Sequence, residues 1–202
     1  MNNSKSSGYD LKDIKVYYSQ KSDYELIQIT TERAQGLRPG IFEIIEKEIK
    51  KRNLNPALLE SVKAQNRSYT FEEIVEFSQK LRTLPCPICK DKAVKLNGTV
   101  IYTVKSYIFS ASLREELVIG CPNCLDIKNK EAIISTALLG WWSGTGLINT
   151  PISIYTTIRE KRWHRIPKPN DALLRFTSQN IGQIVAYKDD PEQLIEIIRY
   201  KG

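Results

Sequence analysis

The sequence predicts an α+β fold: a module of short helices, a two-stranded antiparallel ribbon, an apolar helical hairpin and a small C-terminal α segment. Three observations predict it. Helical periodicity with capping signals fills residues 22–82, two CxxC pairs enclose a β-rich stretch, and 27 uncharged residues at 132–158 are interrupted by glycines and a proline. The resulting division is a flexible arm at 1–20, a helical module at 21–83, the ribbon at 84–128, the apolar hairpin with a basic exit at 129–166, and a C-terminal helical cap at 167–202.

The 202 residues, 41% hydrophobic and 26% charged, are an ordinary globular mixture, which excludes collagen-like, mucin-like and wholly disordered chains. The opening MNNSKSSGYDLKD lacks the apolar core of a secretory signal, so a cytoplasmic location is expected. A net charge of +7 biases the protein towards anionic partners. The excess is spread along the chain, apart from REKRWHRIPK at 159–168.

In the helical module, SDYE at 22–25 and TFEE at 70–73 read as capping boxes. Pro39 suits a first helical turn, Asn53 suits a helix end, and Asn55-Pro56 suits a new start. The basic string KEIKKR at 47–52 is interleaved with Glu43, Glu46 and Glu48 at pairing distance, so it reads as a solvated helix face.

Cys86 and Cys89 flank two residues, Cys121 and Cys124 flank two more, and 31 residues lie between the pairs. Each CxxC turn brings two thiolates to one side of a tight loop, and two such knuckles complete a tetrahedron. Four protein ligands leave no open position, so the expected role is a structural Zn2+, with iron as the other ion suited to four thiolates. Disulfide or redox use would need an oxidising compartment or a neighbouring βαβ unit. The intervening segment carries Val100, Tyr102, Val104, Tyr107 and Phe109, with Asn97-Gly98 as the expected turn, and looks like a zinc ribbon with a long insert. Its Lys95, Tyr102, Lys105, Tyr107 and Arg114 could join phosphate contact to base stacking, which makes nucleic-acid binding the rival function.

Only 14 of the 27 residues at 132–158 are hydrophobic, so one continuous spanning helix would insert poorly. The glycines and Pro151 divide the run at 132–142 and 150–163, which predicts a hairpin with Trp141 and Trp142 at its tip. Arg159, Lys161, Arg162 and Trp163 form its basic exit. Two packings remain open: the stripes Ile134–Leu138–Trp141 and Ile148–Ile152–Tyr155 meet each other and the helical module, or they dip into one leaflet of an anionic membrane. The GTG sequence lacks the Lys and Ser/Thr of a phosphate loop.

The CPxC…CPxC ribbon, the LLGWW…G…TP hairpin after it and a short polar C-terminal segment resemble uncharacterised bacterial proteins, some of them membrane-associated. YELIQIT…RPGIFEIIEKEIKKRNL is similar to a small helical module ahead of membrane segments in such proteins. The resemblance covers residues 22–160, is specific only in its cysteine spacing, and implies no known activity.

In the C-terminal cap, NDALLRFTSQN reads as a helix from Asn170, IGQIVAY as a short strand, and DPEQLIEIIRY as a helix capped by Asp190. The lone His164 sits among cations with no orienting carboxylate nearby in sequence, so it is expected at the surface or facing lipid. No catalytic constellation or small-molecule substrate is evident. The expectation is a non-enzymatic interaction or adaptor protein with a protein partner, peripheral to the inner membrane face.

Overall fold

A computed structural model of the chain describes residues 10–107 and 110–201. Among them are ten α-helices, one 3-10 turn and one two-stranded antiparallel sheet, a mixed α+β architecture in two compact units.

The first unit comprises residues 1–68 and 180–188. Its helices are α1 (Leu11–Ser19), α2 (Asp23–Glu32), α3 (Pro39–Lys51), α4 (Ala57–Gln65) and α9 (Ile181–Ala186). Residues 1–9 of the expected arm lie outside the described residues. From residue 10 onwards the flexible arm is corrected: Asp10 caps α1, and Tyr18 is buried beside Leu26, Ile45, Ile49 and Leu58. Burial of an amphipathic face overrides the polar start of the segment. The Ser22/Glu25 capping box forms in full, Pro39 opens α3, and Asn53 leaves it at φ 53°. Arg52 binds the unit together, reaching Glu48, Asp23 and the carbonyls of Tyr18, Ser19 and Lys21.

IGQIVAY is helix α9, not a strand. Its β-branched residues favour strands locally, but the segment is buried against α4 and α2, and Gln183 donates to Glu32 at 2.9 Å. A Cβ on Gly182 would meet the Thr31 carbonyl at 2.7 Å, so only glycine allows this approach.

The second unit comprises residues 69–179 and 189–202. It holds α5 (Phe71–Arg82), β1 (Asn97–Tyr107), β2 (Ser110–Gly120), α6 (Pro122–Leu139), α7 (Gly144–Glu160), the 3-10 turn Lys161–Trp163, α8 (Asp171–Gln179) and α10 (Pro191–Lys201). The Thr70/Glu73 capping box starts α5 as expected. Asn97-Gly98 is not a turn: these residues open β1, paired with Gly120 and Ile119. Asn97 Nδ2 donates to the His164 and Ile166 carbonyls, and Gly98 exchanges hydrogen bonds with Asn170, which ties the strand to the start of α8. The side chains of Tyr107 and Phe109 lie outside the described residues.

The hairpin forms as α6 and α7. Asn129 Nδ2 donates to the Thr157 carbonyl at 3.2 Å near its base, and a Cβ on Gly140 would overlap Thr150 near its tip, so the helices run antiparallel. The expected boundary at 128/129 falls inside α6, which starts in the second CxxC motif. Pro151 does not divide α7 but lies within it. Its missing N–H costs one helical bond, and packing of α7 on β1 and α6 offsets that loss.

Candidate metal centre and the inverted hairpin

The first cysteine pair lies on a tight turn after α5. The Lys90 N–H donates to the Cys86 carbonyl at 2.8 Å, the Cys86 N–H to Asp91 at 2.9 Å, and Lys90 takes φ 63° to close the loop. The second pair starts a helix: extended Cys121 is the N-cap of α6, Pro122 occupies its first turn, and Cys124 follows one position short of a full turn. The positive end of α6 therefore faces the sulfurs, which favours thiolates.

The antiparallel pairing of β1 with β2 returns the second motif to the first. All four Sγ atoms lie within 4.8 Å of one another. The Cys89 and Cys121 sulfurs are 3.6 Å apart, close to the separation of about 3.8 Å implied by tetrahedral Zn–S bonds of ~2.3 Å. All four cysteines are free; Cys86, Cys121 and Cys124 are buried and Cys89 is exposed. Burial opposes ionisation of Cys86, but the N–H groups of Cys89, Cys121 and Ile88 outweigh it and lower its pKa. Burial raises Cys121 and Cys124 above the ordinary thiol value, as expected of a cluster that needs a cation before every sulfur ionises. The geometry can hold a metal ion on four thiols.

Both feet of the hairpin meet beside this centre. Asp126, half a turn beyond Cys124, accepts from His164 Nδ1 at 3.0 Å and Arg165 at 2.6 Å. His164 is a correction to the sequence reading: it is 1% exposed, and its orienting carboxylate comes from a segment 38 residues away. Asn129 fixes the other side of the ring. Its Oδ1 accepts from Thr99 and its Nδ2 donates to the Thr157 carbonyl and to His164 Nε2 at 3.4 Å. These partners select the neutral tautomer with the proton on Nδ1. Burial, followed by the charges of Arg165 and Lys161, overcomes the Asp126 contact and lowers the His164 pKa below 6.5.

Of the two packings left open, the one in which the apolar stripes meet each other and the helical module is not the one formed. The side of α6–α7 turned to the sheet carries Asn129, Ala132, Thr136, Gly146, Thr150, Ser153 and Thr157, all buried. Thr136 Oγ1 accepts from the Val104 N–H at 3.2 Å, and Ser106 donates to the Gly140 carbonyl. Small residues let the backbones approach closely; Thr136, Ser106 and Asn129 bond across the contact, whereas the buried Thr150 and Thr157 hydroxyls have no partner. Ile134, Leu138, Ile148, Ile152, Tyr155 and Ile158 consequently face outwards, with Leu138, Ile148 and Tyr155 at 67%, 65% and 66% exposure.

Trp141 and Trp142 occupy the tip, at 44% and 69% exposure, and their indole N–H groups donate to Ala137 and Leu138 carbonyls. At the other end, Arg159, Lys161 and Arg162 are exposed, and the Arg162 guanidinium lies 5.0 Å from the Trp163 ring centroid. No helix among the described residues is long and apolar enough to cross a membrane.

The proposed nucleic-acid residues do not form one patch. Lys105 and Arg114 share one face of the hairpin, with Glu116 beside Arg114; Tyr102 is on the opposite face across from Glu115, and Lys95 precedes the other end of β1. Tyr107 contributes no described side chain. Sequence reasoning missed Asp126 and Asn129, because their relation to His164 exists only after α6 and the 3-10 turn are brought together. No protein-family profile, curated protein or solved structure matches this chain.

Proposed function

We propose that the protein is a non-enzymatic interaction protein, built on a zinc-ribbon-like centre with a structural Zn2+, that works peripherally at the inner face of a membrane. The observation that carries this reading is the inverted hairpin: small and polar side chains are buried against the sheet, and a charge-free apolar face is turned outwards. Such a face is costly in water. Lipid would cover it without asking for hydrogen bonds, with tryptophans at the tip and Arg159, Lys161 and Arg162 available to anionic headgroups.

Zinc suits the centre because Cys89 is exposed and a redox-inactive ion tolerates that exposure. As an adaptor, the protein would use the second unit at the membrane and present the first to a protein partner.

Sedimentation with vesicles rich in anionic lipid tests the reading. Wild type is expected in the pellet, and Trp141→Ser/Trp142→Ser is expected to bind at least ~10-fold more weakly, since burying each indole contributes roughly 1.5–3 kcal/mol. Equal recovery of both proteins in the supernatant would reject the membrane role.

A further inference from the structure

A cleft of about 320 Å3 runs beside the hairpin, between α6 and the open face of β1–β2. Its floor carries Lys105 and Arg114 on adjacent strands and Glu116 next to Arg114; its α6 wall carries Lys128, Glu131 and Ser135. The ordering of these charges along the cleft follows from the packing. Thr99 meets Asn129, the Val104 N–H meets Thr136, and Ser106 meets Gly140, so β1 and α6 advance together towards the tip. Glu116, opposite Ile101, and Glu131 therefore lie towards the base. Arg114, opposite Thr103, comes next, and Lys105, opposite Ser112, lies nearest the tip.

From Trp141 and Trp142 towards the base, the surface thus reads apolar, then cationic with hydroxyls, then the two carboxylates, with Lys128 beyond them paired to Glu131. A phospholipid with an amine headgroup reads in the same order: acyl chains, phosphate, ammonium. The groups are accessible to such a ligand. Arg114 contacts Glu116 only at 3.5 Å, and Glu131 pairs with Lys128 at 3.2 Å; both pairs are exposed, and exposed pairs cost little to rearrange.

We propose that this cleft receives the phosphoethanolamine headgroup of a membrane phospholipid, with the phosphate against Lys105 and Arg114 and the ammonium against Glu116 and Glu131. Ser112 and Thr103 supply hydroxyl donors to the phosphate, and a primary ammonium supplies the N–H donors that the two carboxylates accept. A choline headgroup has no N–H to donate and is discriminated against. The inference rests on the membrane reading and adds a headgroup preference to it.

The test uses the full chain and two vesicle sets with the same fraction of anionic phosphatidylglycerol, the remainder being phosphatidylethanolamine or phosphatidylcholine. Binding about three- to tenfold tighter to the ethanolamine set is expected, from two charge-assisted contacts at a wet surface. Glu116→Gln/Glu131→Gln, both at exposed positions, should abolish that difference, while the loss of two negative charges raises affinity for both anionic vesicle sets alike. Millimolar O-phosphoethanolamine, but not O-phosphocholine, should remove the same increment, which separates the headgroup from the bilayer as the recognised source. Equal binding to the two vesicle sets would overturn the headgroup assignment and leave the membrane reading standing. An ethanolamine preference that persists in the double variant would assign it to bilayer packing and also overturn the cleft. Absence of binding to either set would overturn both readings.

Discussion

His164 holds its place through acceptors and donors that suit only an uncharged ring. Nδ1–H points at the Asp126 carboxylate, and Nε2 faces the Asn129 amide, which already donates. A proton on Nε2 would set donor against donor. With a folded pKa held below 6.5, the unfolded chain binds a proton that the folded chain refuses. Stability should therefore be undiminished by this group above pH 6.5 and fall as pH drops from 6.5 towards the folded value. Denaturant titrations from pH 7.5 to 5 are expected to show this slope, and His164→Ala is expected to flatten it. The same variant should lose about 2–4 kcal/mol at pH 7.5, because it leaves a cavity and removes one hydrogen bond each from Asp126 and Asn129. An unchanged slope in His164→Ala would show that other groups carry the pH dependence. The four cysteines were legible in sequence because each pair is local and the pairs share a spacing. The role of His164 was not, because its carboxylate arrives only through tertiary packing, and neighbouring cations in sequence suggested solvent.

The hairpin α6–α7 was legible as an element and illegible in its orientation. Absence of charge, two tryptophans and the glycines located it, and periodicity found its stripes. Periodicity says which residues share a face; it does not say which face is inside when the opposite one is lined with threonine, serine and glycine small enough for close packing. The glycines were read as breaks, yet their main work is close approach. A Cβ on Gly146 would overlap the Gly140 carbonyl and Ser106 Oγ, both on the packed side. Gly146→Ala should consequently push the tip away from β1 and destabilise the second unit by about 1–3 kcal/mol, whereas Gly144→Ala, which meets nothing within 4 Å, should be neutral or slightly stabilising. Equal thermal midpoints for the two variants would contradict this packing. Asn97-Gly98 and IGQIVAY failed for a related reason. Local turn and strand preferences gave way to Asn170, which engages the start of β1, and to α4, which covers α9.

Across the molecule, the centre and the apolar face belong to one design. The second cysteine pair begins α6, and Asp126 in its next turn holds the residues that follow α7, so the hairpin is anchored at both feet beside the four-cysteine cluster. Metal analysis of reduced protein should find about one zinc per chain, and a strong chelator should lower the thermal midpoint of the second unit. Acid should do the same, since protons compete for the thiolates. The α+β class and most helix boundaries followed from caps and periodicity; the partition into units did not, because α9 joins helices more than a hundred residues earlier in the chain. What covers the outward face is read directly by quenching of tryptophan fluorescence with brominated lipids. In anionic vesicles with bromine on the upper acyl chain, wild type should be strongly quenched and Trp141→Phe/Trp142→Phe, which keeps Trp163, only weakly. Indoles at positions 141 and 142 that remain unquenched at saturating lipid would contradict the account.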